Sequence, residues 1–408
     1  MKSKTLITLV AVITAVLFVA VSSFAQEMPA PGTTIDKSNY KKYMHLFPEE
    51  WAPAFEDGFG GLIPLFKMNV TATKQYPMPK AYLDFSAKNK GKYSFDANGN
   101  ITPTFNREGL PFPDLQSGDK DFVTKLMYNF ENKYIGDVMQ DKGGGGSYEK
   151  RRGETVRFNT ANIINLFFKD RMVLAPKPDL PSSAGLYKAF LLHYMAPESV
   201  KNTITVSYRY VDTTKPDDTY LYLPALRRVL RAEAGQRSTP VTGSTNSLDD
   251  FNGFDGRTPE FTYTLVKEQK VLAVADSKMA LQVAKNWTKS ELPVDRDNYE
   301  LRDVYVIDIK PKDAKYPQSR KRIYLDKETL WVTYSIAYDR AGKVWKIWLL
   351  DTKSYPMGSG QQFAYINGFI GVDVQFGMAT QYVPDIAANV DNFTYADVSP
   401  QALLKRAR

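Results

Sequence analysis

Between Asp303 and Leu350 the chain repeats one pattern four times: a short run in which apolar and polar side chains alternate, closed by a few polar residues. The runs are Asp303 to Ile309, Arg320 to Leu325, Trp331 to Tyr338 and Val344 to Leu350. Asp326-Lys-Glu-Thr329 and Asp339-Arg-Ala-Gly-Lys343, which separate two pairs of them, are short enough to return the chain as hairpins. Alternation with a period of two sends successive side chains to opposite faces of a strand, so four consecutive antiparallel strands are predicted. Val332, Tyr334, Ile336 and Tyr338 share one face of the third, and Trp345, Ile347 and Leu349 share one face of the fourth. Trp331 and Trp348 fall on the opposite parity, so both faces carry large apolar groups. Such a sheet must be covered on both sides or curved around a cavity.

The same alternation recurs at Ile204 to Tyr210, Tyr220 to Leu223 and Gln375 to Val383. Helical stretches are fewer. Asp36 is placed to cap a short helix through Tyr40, Tyr43, Met44 and Phe47, ended by Pro48. Others are expected at Asp119 to Phe130, Ser183 to Met195 and Ser277 to Ser290, with Pro400 to Leu404 a frayed end. Glycines 143 to 146, followed by Ser147, read as a loop tip or linker. The expected fold class is α+β, dominated by one large antiparallel sheet, in three parts: residues 1–25 a signal peptide, 26–146 an N-terminal cap region of short helices and loops, and 147–408 the sheet domain.

The first part rests on its own pattern. Lys2 and Lys4 precede an apolar run from Leu6 to Val21, and Ser23-Phe-Ala25 offers a small-x-small cleavage site, the layout of a secretory signal peptide. The expected location is the periplasm, without a lipid anchor, since the chain has no cysteine. That absence also removes disulfides, thiolate metal sites and cysteine nucleophiles, leaving stability to a packed core. The formal net charge is +8, gathered in short clusters at Lys150-Arg-Arg152, Arg227 to Arg231, Arg320-Lys-Arg322 and Lys405 to Arg408. In an exported protein these fit solvated strand ends, lipid head groups or an acidic partner better than nucleic acid.

Catalytic patterns are scarce. The chain lacks a G-x-S-x-G elbow, H-E-x-x-H, a phosphate-binding loop and a dinucleotide fingerprint. Its two histidines, His45 and His193, sit among apolar residues and read as structural. Asp96-x-Asn98-x-Asn100 starts like a calcium loop, but the glycine at 99 comes one place early and no distal Glu follows, so a hairpin turn is expected. No catalytic residue, metal or cofactor is expected. The carboxylates that would serve a hydrolase of envelope glycans or lipids are Asp249, Asp250 and Asp255, with Asp295 and Asp297.

From Tyr220 to Phe261 the chain reads Tyr-Leu-Tyr-Leu-Pro224, then Ala-Leu-Arg227-Arg228-Val-Leu-Arg231, and later Asp249-Asp250-Phe251-Asn-Gly253-Phe254. With Tyr76-Pro-Met-Pro-Lys-Ala-Tyr82, Gly109-Leu-Pro-Phe-Pro113, Lys133-Tyr-x-Gly136-Asp137 and Arg322-x-x-Tyr-Leu-Asp-Lys-Glu-Thr329, it resembles a family of exported bacterial proteins described as outer-membrane lipoprotein-sorting-like, related in fold to LolA and LolB. The resemblance implies an incomplete barrel, a strongly curved antiparallel sheet closed by helices around an apolar cavity. It further implies a carrier or chaperone for a lipid or other hydrophobic molecule, working with an RND-type transporter and an outer-membrane protein.

At about 0.8 kcal/mol per CH₂, a 16-carbon chain costs on the order of 12 kcal/mol to expose to water, so an apolar cavity is what a soluble carrier must supply. Candidate wall residues are Tyr208, Tyr222, Trp331, Tyr334, Trp345 and Trp348. Arg227, Arg228 and Arg231, with Asp249, Asp250, Phe251 and Phe254, are candidates for the rim, where the arginines and acids would either meet ligand or pair with one another.

Overall fold

The computed structural model describes residues 27–407 apart from 182–184, 233–236, 239, 241–243, 280–297, 359 and 391. Its N-terminal strands are short: β1 (Thr34–Ile35), β2 (Met68–Val70), β3 (Ser94–Phe95), β4 (Ile101–Thr102) and β5 (Val138–Asp141). Next come β6 (Gly144–Glu149), β7 (Glu154–Phe167), β8 (Leu186–Ala196), β9 (Ile204–Tyr210), β10 (Asp218–Leu223) and β11 (Arg228–Ala232). The C-terminal series is β12 (Phe261–Ala273), β13 (Asn298–Pro311), β14 (Arg320–Asp326), β15 (Val332–Tyr338), β16 (Val344–Gly358), β17 (Gln361–Asp373), β18 (Met378–Val383) and β19 (Ile386–Ala388).

Thirteen of these form one continuous antiparallel path, β12 to β18 in chain order, then β6 to β11 in chain order. The join is β18 against β6, with Thr380 opposite Ser147. At the two ends of the path, β11 and β12 have no second neighbour among the described residues, so the curved sheet stops short of a closed barrel. The anticipated meander is therefore present, with β13 and β16 longer than the alternation alone suggests.

Opposite parities face opposite layers from Tyr334 to Tyr338, whereas Val332, expected on the Tyr334 face, packs on the inner side with Trp348 because the register shifts between Tyr324 and Leu325. Tyr334, Ile336, Ile347 and Leu349 pack against Trp51, Phe55 and Phe66 of the N-terminal segment. Trp348, Ala337 and Ile323 pack instead with the helix Phe122–Glu131 and with Phe254. That helix sits within the curve of the sheet, while the turns around Tyr40–Leu46 and Glu49–Trp51 cover the outside. A second outer layer is the C-terminal helix Pro400–Arg406, whose Leu403 joins Ile204, Val206 and Tyr208.

Two expectations are corrected. Glycines 143 to 146 do not form a loop tip: Gly144 to Gly146 lie in β6, between β7 and β18, and the sheet runs through the junction at 146 and 147. A Cβ on Gly145 would stand 2.8 Å from the Gln381 carbonyl oxygen, and one on Gly143 would stand 2.5 Å from that of Val383. Backbone packed this closely excludes any side chain. Of the stretch expected to be helical from Ser183 to Met195, Leu186 onward is strand β8, apolar on both faces because both are buried. Ser277 to Ser290 lies almost wholly outside the described residues. Asp96 accepts the amides of Asn98 and Asn100 in the β3–β4 hairpin, as its turn chemistry predicts.

Candidate ligand cleft

The inner face of the sheet holds a cleft between β7, β8 and β9 on one side and β17 and β18 on the other, roofed by residues 248–255. Its cavity volume is about 70 Å³. Ile163, Phe190, Phe251, Ile366 and Phe369 supply apolar wall, and Tyr365, Tyr382 and Asn165 add polar atoms. Phe251 of the roof packs against Phe190 of the sheet with ring centroids 5.1 Å apart and planes tilted by 58°. Because Phe251 carries extended backbone angles inside a 3-10 turn and Asn252 a φ of +58°, the roof kinks here and presents its ring to the cleft.

Charge holds the roof. Arg237 bonds Asp249 at 2.8 Å, Asp255 at 3.0 Å and Asp217 at 3.2 Å. Arg209 of β9 bonds the same Asp217 at 3.0 Å, and reaches Asp255 and Glu131 at 3.4 Å each. Lys188 of β8 completes the set on Asp255 at 2.9 Å, and Arg107 meets Glu131 at 2.9 Å. Burial pushes Glu131 up, but Arg107 and Arg209 outweigh it and hold the carboxyl at about 2. Asp255 is likewise pushed up by burial and brought well below the usual carboxylate range by Arg209, Lys188 and Arg237. Four cations thus face four carboxylates in a buried cluster linking sheet, helix end and roof.

The sequence-derived candidates divide. Of the thirteen, only Phe251 lines the cleft. Tyr208 and Tyr222 lie under the C-terminal helices, and the Tyr208 hydroxyl donates to the Val398 carbonyl. Tyr334 faces the outer layer beside Trp51 and donates to Leu272. Trp331 donates to Ala364 and meets Tyr365 edge to face, one residue behind the cleft wall. Trp348 is packed under the roof and donates to Asn246, while Trp345 is half-buried at a sheet end and donates to Asp373. Phe254 packs on Phe261.

Asp249 and Asp250 do join an ion-pair network, but with Arg237 and Lys321, not with the three arginines. Arg227 and Arg228 are exposed at the β10–β11 turn, and Arg231 pairs with Asp218 at the surface. Arg209, Arg237, Asp217 and Lys188 were missed; Arg209 and Lys188 sit at polar positions of apolar strands, the one signal that could have marked them.

For hydrolysis one carboxyl must retain a proton. Burial pushes Asp250 up, but Lys321 and Lys346 overcome this and hold it at about 2, so it is anionic at neutral pH. Asp295 and Asp297 lie outside the described residues. Asp141, at the cleft wall, is pushed up to about 6 by burial, against hydrogen bonds from the Tyr382 hydroxyl and the Gly143 and Asp385 amides. No cluster of three or more metal-ligating side chains occurs among the described residues.

The profile of a family described as a protein of unknown function, DUF1329, matches residues 34–403. The chain belongs to this family. Among solved structures, a DUF1329 protein from Desulfovibrio piger is similar at 15% identity, with a TM-score of 0.50, covering 69% of this chain and 97% of its own. A putative outer membrane lipoprotein-sorting protein domain from Vibrio parahaemolyticus matches at 16% identity and a TM-score of 0.50, covering 70% of this chain and 99% of its own. These likenesses show that this DUF1329 chain has the lipoprotein-sorting fold. Comparison with curated proteins gave no match. No described helix is long and apolar enough to cross a membrane.

Proposed function

We propose that this DUF1329 protein is a periplasmic carrier or chaperone that shelters a lipid or other hydrophobic molecule in the roofed cleft, acting without covalent chemistry alongside an RND-type envelope transporter. The observation that supports it is the roof itself. Phe251 covers an aromatic and aliphatic wall, yet its segment is tied to the sheet through Asp255, which pairs with Lys188 of β8 and Arg209 of β9. As it stands the cleft is too narrow for an acyl chain, since drug-sized ligands occupy roughly 300–1,000 Å³. Lifting residues 248–255 would join the narrow part to the surrounding space, so loading is coupled to roof movement.

Native mass spectrometry of detergent-free protein, followed by organic extraction, tests this. The expected result is a stoichiometric apolar molecule that is lost when Ile163→Trp fills the cleft. A clean apo mass, with no uptake from membrane lipid extracts by the parent protein, would overturn the reading.

A further inference from the structure

The antiparallel order places six hairpin turns along one end of the sheet, those of β13–β14, β15–β16, β17–β18, β6–β7, β8–β9 and β10–β11. Contacts join neighbouring turns: Arg340 donates to Ala314, Gln375 to Asp339, and the Lys150 amide to Gly377. Twelve strands at a spacing near 4.8 Å give this rim an arc of roughly 50 Å. Its charge is one-sided. Lys312 and Lys315, Arg340 and Lys343, and Lys150 with its two arginines are all exposed, followed by Arg227 and by Lys201, which pairs with Glu198 at 2.6 Å. The acids in these turns are Asp313, Asp339 and Glu198. Arg151 and Arg152 share Glu149 at 3.3 and 3.4 Å, yet their side chains remain 78% and 59% exposed. The opposite end differs, with Lys169 matched by Asp179 at 2.6 Å and Lys327 by Glu268.

Large apolar side chains stand out singly between these cations. Phe376, at the tip of the β17–β18 turn, is 58% exposed, and Leu226, before Arg227, is 54% exposed. The end of β8 adds Met195. The C-terminal helix reaches the same rim, where Asn202 of the β8–β9 turn donates to Ala407, and brings exposed Leu404 and Lys405. Lys150 to Arg152, Arg227 and Lys405, drawn from three of the basic clusters seen in the sequence, thus lie along one edge.

We propose that this rim docks on the surface of an anionic phospholipid bilayer, with Phe376 and Leu226 entering the head-group layer. Basic side chains close to such a surface are attracted individually, and isolated aromatic or aliphatic tips between them add apolar burial. A long arc of separate tips fits a plane of lipid better than it fits a pocketed acidic protein, which would need a continuous complementary patch. The inference is independent of what the cleft holds.

Co-sedimentation of the purified protein with vesicles of mixed phosphatidylglycerol and phosphatidylcholine, against phosphatidylcholine alone, reads the docking directly. The expected result is binding to the anionic vesicles only, weakened by salt. Affinity should fall about fivefold for each cation removed, as in R151A/R152A, and roughly tenfold or more for Phe376→Ser. Lys177→Ala, at the other end, should leave it unchanged. These are surface positions, and circular dichroism of each variant verifies the fold, while the salt titration of the parent stands without any variant. Equal binding to neutral vesicles, no binding to either, or insensitivity to R151A/R152A would overturn the proposal. So would equal capture by polyglutamate that ignores Phe376→Ser, which would assign the rim to an acidic polymer.

Discussion

Asp170 is a buried carboxyl with no cation bonded to it. The Gly109 amide donates to one of its oxygens, and the Tyr82 hydroxyl lies 3.1 Å from the other. Tyr82 has a single proton, which its closer contact with the Asn132 carbonyl claims, because a carbonyl oxygen can only accept. Little of that donor is left for Asp170, and burial outweighs the hydrogen bonds from Tyr82 and Gly109 and pushes this carboxyl up to about 7. A folded-state value above the unfolded one means that the native state binds the extra proton. The stability it gives is complete below about pH 4 and is lost as pH rises toward 7, a loss of a few kcal/mol. Asp170→Asn has nothing to titrate, so its stability relative to the parent should improve between pH 5 and pH 8. Urea unfolding at both values measures this, and parallel pH dependence in the two proteins would exclude a protonated Asp170. None of this could be read from the sequence, in which Asp170 follows an apolar run as any strand-ending acid does. The aromatic parities of β15 and β16 were legible, whereas which parity faced the cleft was not, because both faces of the sheet are buried.

At the scale of elements, β6 shows where local reading fails. A tetraglycine has no propensity for strand, and its conformational freedom suggests a linker. Here the absence of side chains is what the two neighbours require, since the chain passes between β7 and β18 at backbone distance. Gly145→Ala should therefore destabilise the protein by about 1–3 kcal/mol, because the obstructing atom is a carbonyl oxygen that no rotamer change can move. Gly118→Ala, with nothing within 4 Å of the added carbon, should be near neutral. Equal chemical-denaturation midpoints for the two variants would show that β6 is not confined as described. Strand β8 failed for a related reason. Its apolar residues run almost without a break, and such a run does not separate a buried strand from a buried helix. The meander from β13 to β16 and the helix at Phe122–Glu131 were legible, because polar turns or a regular apolar stripe bounded them.

Over the whole molecule, β11 and β12 are unjoined among the described residues, and residues 248–255 of the link between them roof the cleft. Arg237 lies in that link and is the hub that ties the roof to Asp217 at the end of the sheet. Removing one member of a buried ion cluster costs more than the cluster contributes, roughly 3–5 kcal/mol, because its partners stay buried and uncompensated. The effect of Arg237→Ala should not be uniform. Asp217 and Asp255 keep Arg209, and Asp255 also keeps Lys188, whereas among the described residues the Asp249 carboxylate is left with the Tyr316 hydroxyl alone. The uncompensated charge therefore sits on the roof, and the way to solvate it is to lift residues 248–255 off β8 and β9. Hydrogen exchange should speed up in that segment while the amides of β13 to β16 keep their protection, since local opening draws on less free energy than global unfolding. If segment and sheet lost protection equally, the network would serve the stability of the whole fold, and the roof would not be a separately opening part.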